Sequence, residues 1–236
     1  MTLGIMQPYF FPYFGYIQLI YAADTFIIYD DVNFIKGGWI NRNRIVINGV
    51  PHFFTVPLEQ SSSFKKISDI EINEDKYDRF KTKFLKTIRQ TYIKANNFGD
   101  FYPKLEEFFN RPFVSSISEL STETLTFVFD YLGKKVNIIY NKDILKQTAH
   151  LGGEERILDI CRKLNASKYI NLSGGVDLYN KTTFDSHGIE LKFLSMDELK
   201  YSQGSNSFLP NLSIIDILMH NDKLSVIEYL KNYSLS

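Results

Sequence analysis

Residues 5–43 read IMQPYFFPYFGYIQLIYAADTFIIYDDVNFIKGGWINRN, and the fold follows from the course this stretch must take. A short apolar start at 3–6 makes a first strand. Residues 7–13, QPYFFPY, cannot continue it inside a sheet, because Pro8 and Pro12 lack the ladder donor and each restricts the residue before it. From Phe14 the apolar Ile17, Leu19, Ile20 and Ala23 fall close to one helical face. Residues 25–29, TFIIY, are then a short β-branched and aromatic run that ends at Asp30 and Asp31. The order is strand, loop, helix, strand.

A right-handed crossover of this kind puts the loop after the first strand and the end of the second on the carboxyl edge of a parallel sheet, where open α/β sheets bind ligands. Gln7, Tyr9, Tyr13 and Tyr16 on one side, and Asp30 and Asp31 on the other, are expected to line one crevice. A competing account makes the aromatics a surface plug and the acids a solvated turn. It fits any one of these residues, but the set together favours a site.

The 236 residues suffice for one large domain or two small ones, and 27 basic side chains balance 27 acidic ones. A formal charge of zero gives no field to hold long nucleic acid or an anionic membrane. The single cysteine, Cys161, excludes an intrachain disulfide and a cysteine-built zinc site. His150, His187 and His220 have no ligand spacing, so no structural metal is expected. There is no signal-peptide pattern and no apolar run long enough to span a bilayer, which points to a cytoplasmic protein.

Beyond Asp31, two apolar-alternating runs at 39–47 and 50–57 flank Asn48-Gly49, a strong hairpin signal. Arg42 and Arg44 share one strand face, Asn41 and Asn43 the other. With Lys36, the two arginines form a candidate clamp for a phosphate or carboxylate, unless they are simply a solvated face. Residues 67–72 suit a short strand. Residues 79–92, 101–109 and 117–132 read as amphipathic helices, the second set off by Pro103 and the third ending at Gly133. They form a helical insertion, at about 76–133, over the sheet of a single α/β domain. A strand at 136–140, a helix at 154–164, a strand at 168–172, a helix from about 177 to 186 and a strand at 189–194 restore the α/β rhythm. The Ser173-Gly174-Gly175 turn can offer backbone amides to an anion. The last polar loop, YSQGSNSFLPN at 201–211, closes with Pro210, and Ser213 or Asn211 caps the next helix. Asp216, among apolar neighbours, is expected on that helix's wet stripe rather than buried against an arginine. The whole reads as a Rossmann-like, mainly parallel sheet with flanking helices, a β-hairpin and a helical insertion.

MQPYFFPYFGYIQLI, DDVNFIKGGWINRNRI, SGG followed by Tyr179, then YSQG, FLP and LSIIDIL resemble the WbqC-like family of bacterial proteins along the whole chain. Members are often encoded in O-antigen and other surface-polysaccharide gene clusters, and glycine transfer to a sugar amine has been proposed for some. The resemblance puts a signature on Gln7, Pro8, Tyr9, Pro12, Gly15, Tyr16, Gln18, Asp30, Asp31, Lys36, Trp39, Asn41, Arg42, Ser173, Gly174, Gln203, Pro210, Ser213 and Asp216. Gly15-Tyr16 at a helix start is also similar in layout to HIGH-motif nucleotidyltransferases, with Tyr16 in place of their histidine.

These readings converge on an N-acyl (aminoacyl) transferase acting on a nucleotide-linked amino sugar. Lys36, Arg42 and Arg44 would neutralise phosphate or oxyanion. Asp30 or Asp31 would take the amine's proton, their pKa values separated if one is buried. Tyr9, Tyr13 and Trp39 would stack on a sugar or base. Gln7, Pro8, Gly15, Tyr16, Gln18, Asn41, Ser173, Gly174, Gly175, Tyr179, Gln203 and Ser213 complete the expected substrate-binding set. ATP is the candidate activating cofactor, because a free carboxylate is a poor electrophile. The expected partners are that sugar and a small acyl donor, with a homodimer left open. The rivals are an ATP-dependent amide ligase working through an acyl-adenylate and a non-catalytic sugar-nucleotide-binding partner of a glycosyltransferase complex.

Overall fold

The computed structural model describes residues 1–204 and 208–236. Strand β1 (Thr2–Met6) runs into the proline loop, helix α1 (Phe14–Ala22) follows, and strand β2 (Thr25–Ile28) returns parallel to β1 with Leu3 opposite Thr25 and Met6 opposite Ile28. The hairpin is strands β3 (Arg42–Ile47) and β4 (Val50–Thr55), a separate antiparallel ribbon. Asn48 and Gly49 both have positive φ at its turn, as a tight hairpin requires. Helices α2 (Glu74–Tyr92), α3 (Phe98–Phe109) and α4 (Ile117–Leu132) come next. Gly133 ends α4 in the left-handed conformation at φ 66.

The second half supplies β5 (Ile138–Ile139), α5 (Lys142–Gln147), α6 (Gly153–Lys163), β6 (Lys168–Leu172), α7 (Lys181–Ser186), β7 (Glu190–Met196), α8 (Ile214–His220), α9 (Lys223–Tyr229) and β8 (Tyr233–Leu235). The main sheet has six strands in the order β5-β2-β1-β6-β7-β8, all parallel except β8. The fold is therefore mixed α/β with a mainly parallel sheet and flanking helices. Successive strand residues alternate between two cores. Leu3, Ile5, Ile27, Tyr169 and Leu191 join α6 and α7 on one face. Phe26, Ile28, Ile170 and Leu194 join α1, α2–α4, the hairpin and α8 on the other.

Several expectations need correction. Residues 67–72 are not a strand: Ile67–Asp69 is a 3-10 turn, and only single bridges tie Ile72 to Leu58 and Glu71 to Ser116. The helix expected over 177–186 is a 3-10 turn at Ser173–Leu178 followed by the shorter α7. Pro103 lies inside α3 instead of heading it. Buried Phe101, Leu105, Phe108 and Phe109 offset the hydrogen bond it forfeits. Asp216 is fully buried and accepts hydrogen bonds from the hydroxyls of Tyr92 (2.7 Å) and Tyr201 (2.6 Å), with no arginine involved. Ser205, Asn206 and Ser207, in the middle of the polar loop, lie outside the described residues.

The proline loop is held from three sides. Phe11 is buried at φ 42, a strained backbone for a side chain of its size. Its carbonyl accepts from Asn43 Nδ2 on β3 and from Ser213 Oγ (2.8 Å), and its N–H donates to Thr124 Oγ1 of α4 (3.2 Å). Ser213 also caps α8, and Ile214 N–H donates to the Pro12 carbonyl at 2.7 Å. The hairpin, α4 and α8 therefore set the conformation of the loop that β1 feeds.

Candidate functional site

The carboxyl ends of β5, β2, β1, β6 and β7 lie along one edge of the sheet, and the expected site residues that gather there do so around two hollows instead of one crevice. The first, of about 720 Å³, lies beyond β2 and β5 and includes Asp30, Asp31, Ser118, Tyr140, Lys142 and Lys146 in its wall. The second, of about 450 Å³, lies beyond β1, β6 and β7, with Tyr9, Tyr13, Gly15, Trp39, Arg44 and Ser173 in its wall. Since β2 and β6 flank β1, their ends are separated by about 10 Å, two strand spacings.

In the first hollow the adjacent acids have opposite environments. Asp30 is buried, and its Oδ2 accepts from Ser118 Oγ at 2.7 Å. Burial raises its pKa against the lowering effects of the Ser118 bond and the Lys142 charge. Asp31 pairs with Lys66 and, at 2.8 Å, with Nη2 of buried Arg156, whose Nη1 reaches the Asp31 carbonyl at 3.3 Å. Burial works to raise Asp31 as well, but the hydrogen bonds and charges of Lys66 and Arg156 outweigh it and hold the carboxyl below the usual range. Ser118 is linked onward: the Tyr140 hydroxyl donates to the Ser118 carbonyl (2.7 Å) and shares a 2.6 Å contact with Thr122 Oγ1. Burial pushes the Tyr140 phenol up to about 12.

The second hollow is aromatic. Tyr9 lies 6.1 Å from Trp39 and 6.5 Å from Tyr13, centroid to centroid. Burial raises the Tyr9 phenol, Tyr13 adds to the rise, and Arg44 and Arg42 oppose it. Gly15 is needed for close approach, because a Cβ there would meet Tyr13 Cε2 at 2.7 Å. The Arg44 guanidinium is 5.9 Å from the Trp39 ring, and Nη2 donates to the Pro210 carbonyl at 3.3 Å.

Other expected site residues stand elsewhere. Arg42 donates to the carbonyls of Gly38 (2.9 Å) and Gly37, while Lys36 is exposed in the turn before them; neither lines either hollow. Tyr16 is buried with its hydroxyl on the Gln7 carbonyl (2.7 Å), so the position offers no phosphate contact. Gln18 Nε2 donates to the carbonyls of Tyr229 and Asn232, pinning the C-terminal segment. Asn41 bonds the Val56 carbonyl, Gln203 bonds Leu209 through both N–H and carbonyl, and Ser213 is the cap described above. Pro8 is buried, Gly174 is exposed, and Gly175 packs against Asn171. Tyr179 stacks edge-on to Tyr169 and Phe184 in the core of the other face. The sequence reading missed Ser118, Tyr140, Lys142, Lys146 and Arg156. Ser118 in the first turn of the helix that Ser116 caps was the one local signal. Among the described residues no group of His, Cys, Asp and Glu has a metal-holding arrangement, and no helix is long and apolar enough to cross a membrane.

The motifs that build this edge lie within a longer match: the model of the WbqC-like protein family covers residues 7–227. The chain belongs to that family. A WbqC-like relative, the uncharacterized protein Rv1507c of Mycobacterium tuberculosis (strain ATCC 25618 / H37Rv), is 28% identical over 220 residues, covering 92% of this chain and 93% of that protein. No solved structure matches this WbqC-like chain, and nothing in the comparisons or the Tyr16 geometry supports the HIGH-motif likeness.

Proposed function

We propose that this WbqC-like protein is an N-acyltransferase that places a small acyl group, such as an aminoacyl group, on the amine of a nucleotide-linked amino sugar used in surface-polysaccharide assembly. The observation that supports it is the division of labour between two neighbouring acids. Asp31 is neutralised by Arg156 and Lys66, whereas Asp30 carries no ion pair among the described residues, is raised in pKa by burial and stands in the wall of a large polar hollow. A carboxylate tuned upward in this way is a suitable general base.

In this reading Ser118 orients Asp30 and the substrate amine donates to it. The amine nitrogen attacks the carbonyl carbon of an activated donor, such as an acyl-adenylate made from the free acid and ATP; the bond from that carbon to the phosphate oxygen breaks with its pair on the departing AMP, and the amine's proton passes to Asp30. Lys142 and Lys146, four residues apart on α5, stabilise the developing oxyanion. Ser68, Ser116, Asp69 and Glu119 in the same wall suit sugar hydroxyls. Incubation with nucleotide-linked amino sugars and free or activated glycine, with and without ATP, should give an acyl-sized mass gain. Asp30→Asn should lower kcat at least about 100-fold. No product with any pair, or full activity of Asp30→Asn, overturns the proposal.

The aromatic hollow, which has no acid in its described wall, favours one second reading, a non-catalytic sugar-nucleotide-binding partner of a glycosyltransferase complex. Saturable binding without turnover assigns that role.

A further inference from the structure

The geometry points to a nucleoside-phosphate seat in the hollow beyond β1, β6 and β7, distinct from the acid hollow, with Arg44 taking the phosphate and Trp39 and Tyr9 the flat ring. Arg44 is the charged side chain in the described wall, and its Nη2 donates to the Pro210 carbonyl rather than to a carboxylate. Its Nε is buried with no acceptor among the described residues. The guanidinium carbon, 5.9 Å from the Trp39 ring centroid, makes a cation–π contact that leaves that N–H unsatisfied. A phosphate in the hollow would pair with the guanidinium charge and with Nη hydrogens that the Pro210 carbonyl does not take.

Four features converge on the same space. Helix α1, nine residues long, opens on this wall at Gly15, where first-turn N–H groups and the helix dipole favour negative charge. Ser173, at the end of β6, faces it from the other side. The hollow also sits where the chain order turns: β1 leads through α1 to β2 on one flank, and β6 leads through α7 to β7 on the other. Trp39 is 42% exposed and tilted by 34° against Tyr9, so planar aromatic surface stands beside the guanidinium.

Charge separates the two hollows. Asp30, Asp31, Asp69 and Glu119 stand against three lysines in the first, which disfavours a dianion, whereas the second is cationic. Arg42 is held by backbone carbonyls and contributes no phosphate contact. In calling the ligand the nucleotide end of an amino-sugar donor or acceptor, the inference rests on the proposed function. A substrate seated here would cross the end of β1 to bring its amine to Asp30.

Trp39 is the single tryptophan, so its emission reports on this hollow directly. The test titrates the full chain with uridine and thymidine diphosphate, uridine and inorganic pyrophosphate, by Trp39 fluorescence and calorimetry. Nucleoside diphosphates should bind and change the emission. Arg44→Gln should weaken them at least about tenfold, with Arg44→Lys intermediate, because a lysine keeps the charge and loses the fork. Asp30→Asn, in the other hollow, should bind like wild type. Absence of nucleotide binding by wild type, equal binding by both Arg44 variants, pyrophosphate binding as tightly as the nucleotides, or loss of binding in Asp30→Asn each overturns the seat. Binding without acyl transfer refutes the proposed reaction and leaves the seat standing. Acyl transfer without nucleotide binding does the reverse.

Discussion

Asp31 and Arg156 show how a residue outside the chemistry sets it. Arg156 is almost wholly buried and donates to the Asp31 carboxylate and carbonyl, the Leu145 carbonyl and Thr148 Oγ1, so one side chain ties the end of β2 to α5 and α6. Removing it leaves a mostly buried carboxylate to Lys66 alone and takes the arginine donor from the Leu145 carbonyl, and Arg156→Ala should cost about 3 kcal/mol by urea titration. Lys66, half-exposed on the other side of the same carboxylate, should cost at most about 1 kcal/mol as Lys66→Ala. Combining Arg156→Ala with Asp31→Asn should cost less than the sum of the two single changes. None of this was legible in residues 30–31 alone. The sequence marks two acids, but which one is paired depends on an arginine 125 positions away that no local pattern connects to them.

At the scale of elements, the proline loop and its anchors explain both what was legible and what was not. Pro8 and Pro12 forbid a continued strand, so the exit from the sheet, α1 and β2 follow from local chemistry, as do the Asn48-Gly49 hairpin and the end of α4 at Gly133. The conformation of the loop does not, because Phe11 is held at φ 42 by Asn43, Thr124 and Ser213 from three distant elements. That is also why Ser213, a site candidate by sequence, proves to be a staple. Ser213→Ala removes the α8 cap and a buried bond to the Phe11 carbonyl, and Asn43→Ala removes the other bond to that carbonyl. Each should cost about 1–3 kcal/mol. Because the loop carries Tyr9 and Tyr13 into the aromatic hollow, both variants should also broaden or shift Trp39 emission. A well-folded Ser213→Ala or Asn43→Ala protein with unchanged stability would show that the loop holds itself.

For the whole molecule, Asp216 binds the halves of the larger core together. It sits on α8, accepts from Tyr92 on α2 and from Tyr201 in the segment after β7, and has His220 one turn further along its own helix. An apolar run around one acid gave no indication that two tyrosines, one on α2 and one in the segment after β7, would bury it, so the sequence reading left it exposed. Burial raises its pKa above 3.8, against the lowering effects of the two tyrosine bonds and His220. A raised carboxyl contributes stability in full below its unfolded value and loses it as pH rises through the folded value. Asp31, depressed by its partners, works in the opposite sense: its contribution is present above the unfolded value and fades as pH falls through the folded one. Asparagine at 216 keeps a neutral acceptor and does not titrate. Asp216→Asn should therefore cost most, about 1–3 kcal/mol, below the ordinary aspartate range and progressively less as pH rises through the raised folded value. Denaturant midpoints across that range measure the difference directly. A cost that grows toward neutral pH would mean that Asp216 is ionised in the folded protein and that its two tyrosines hold a carboxylate.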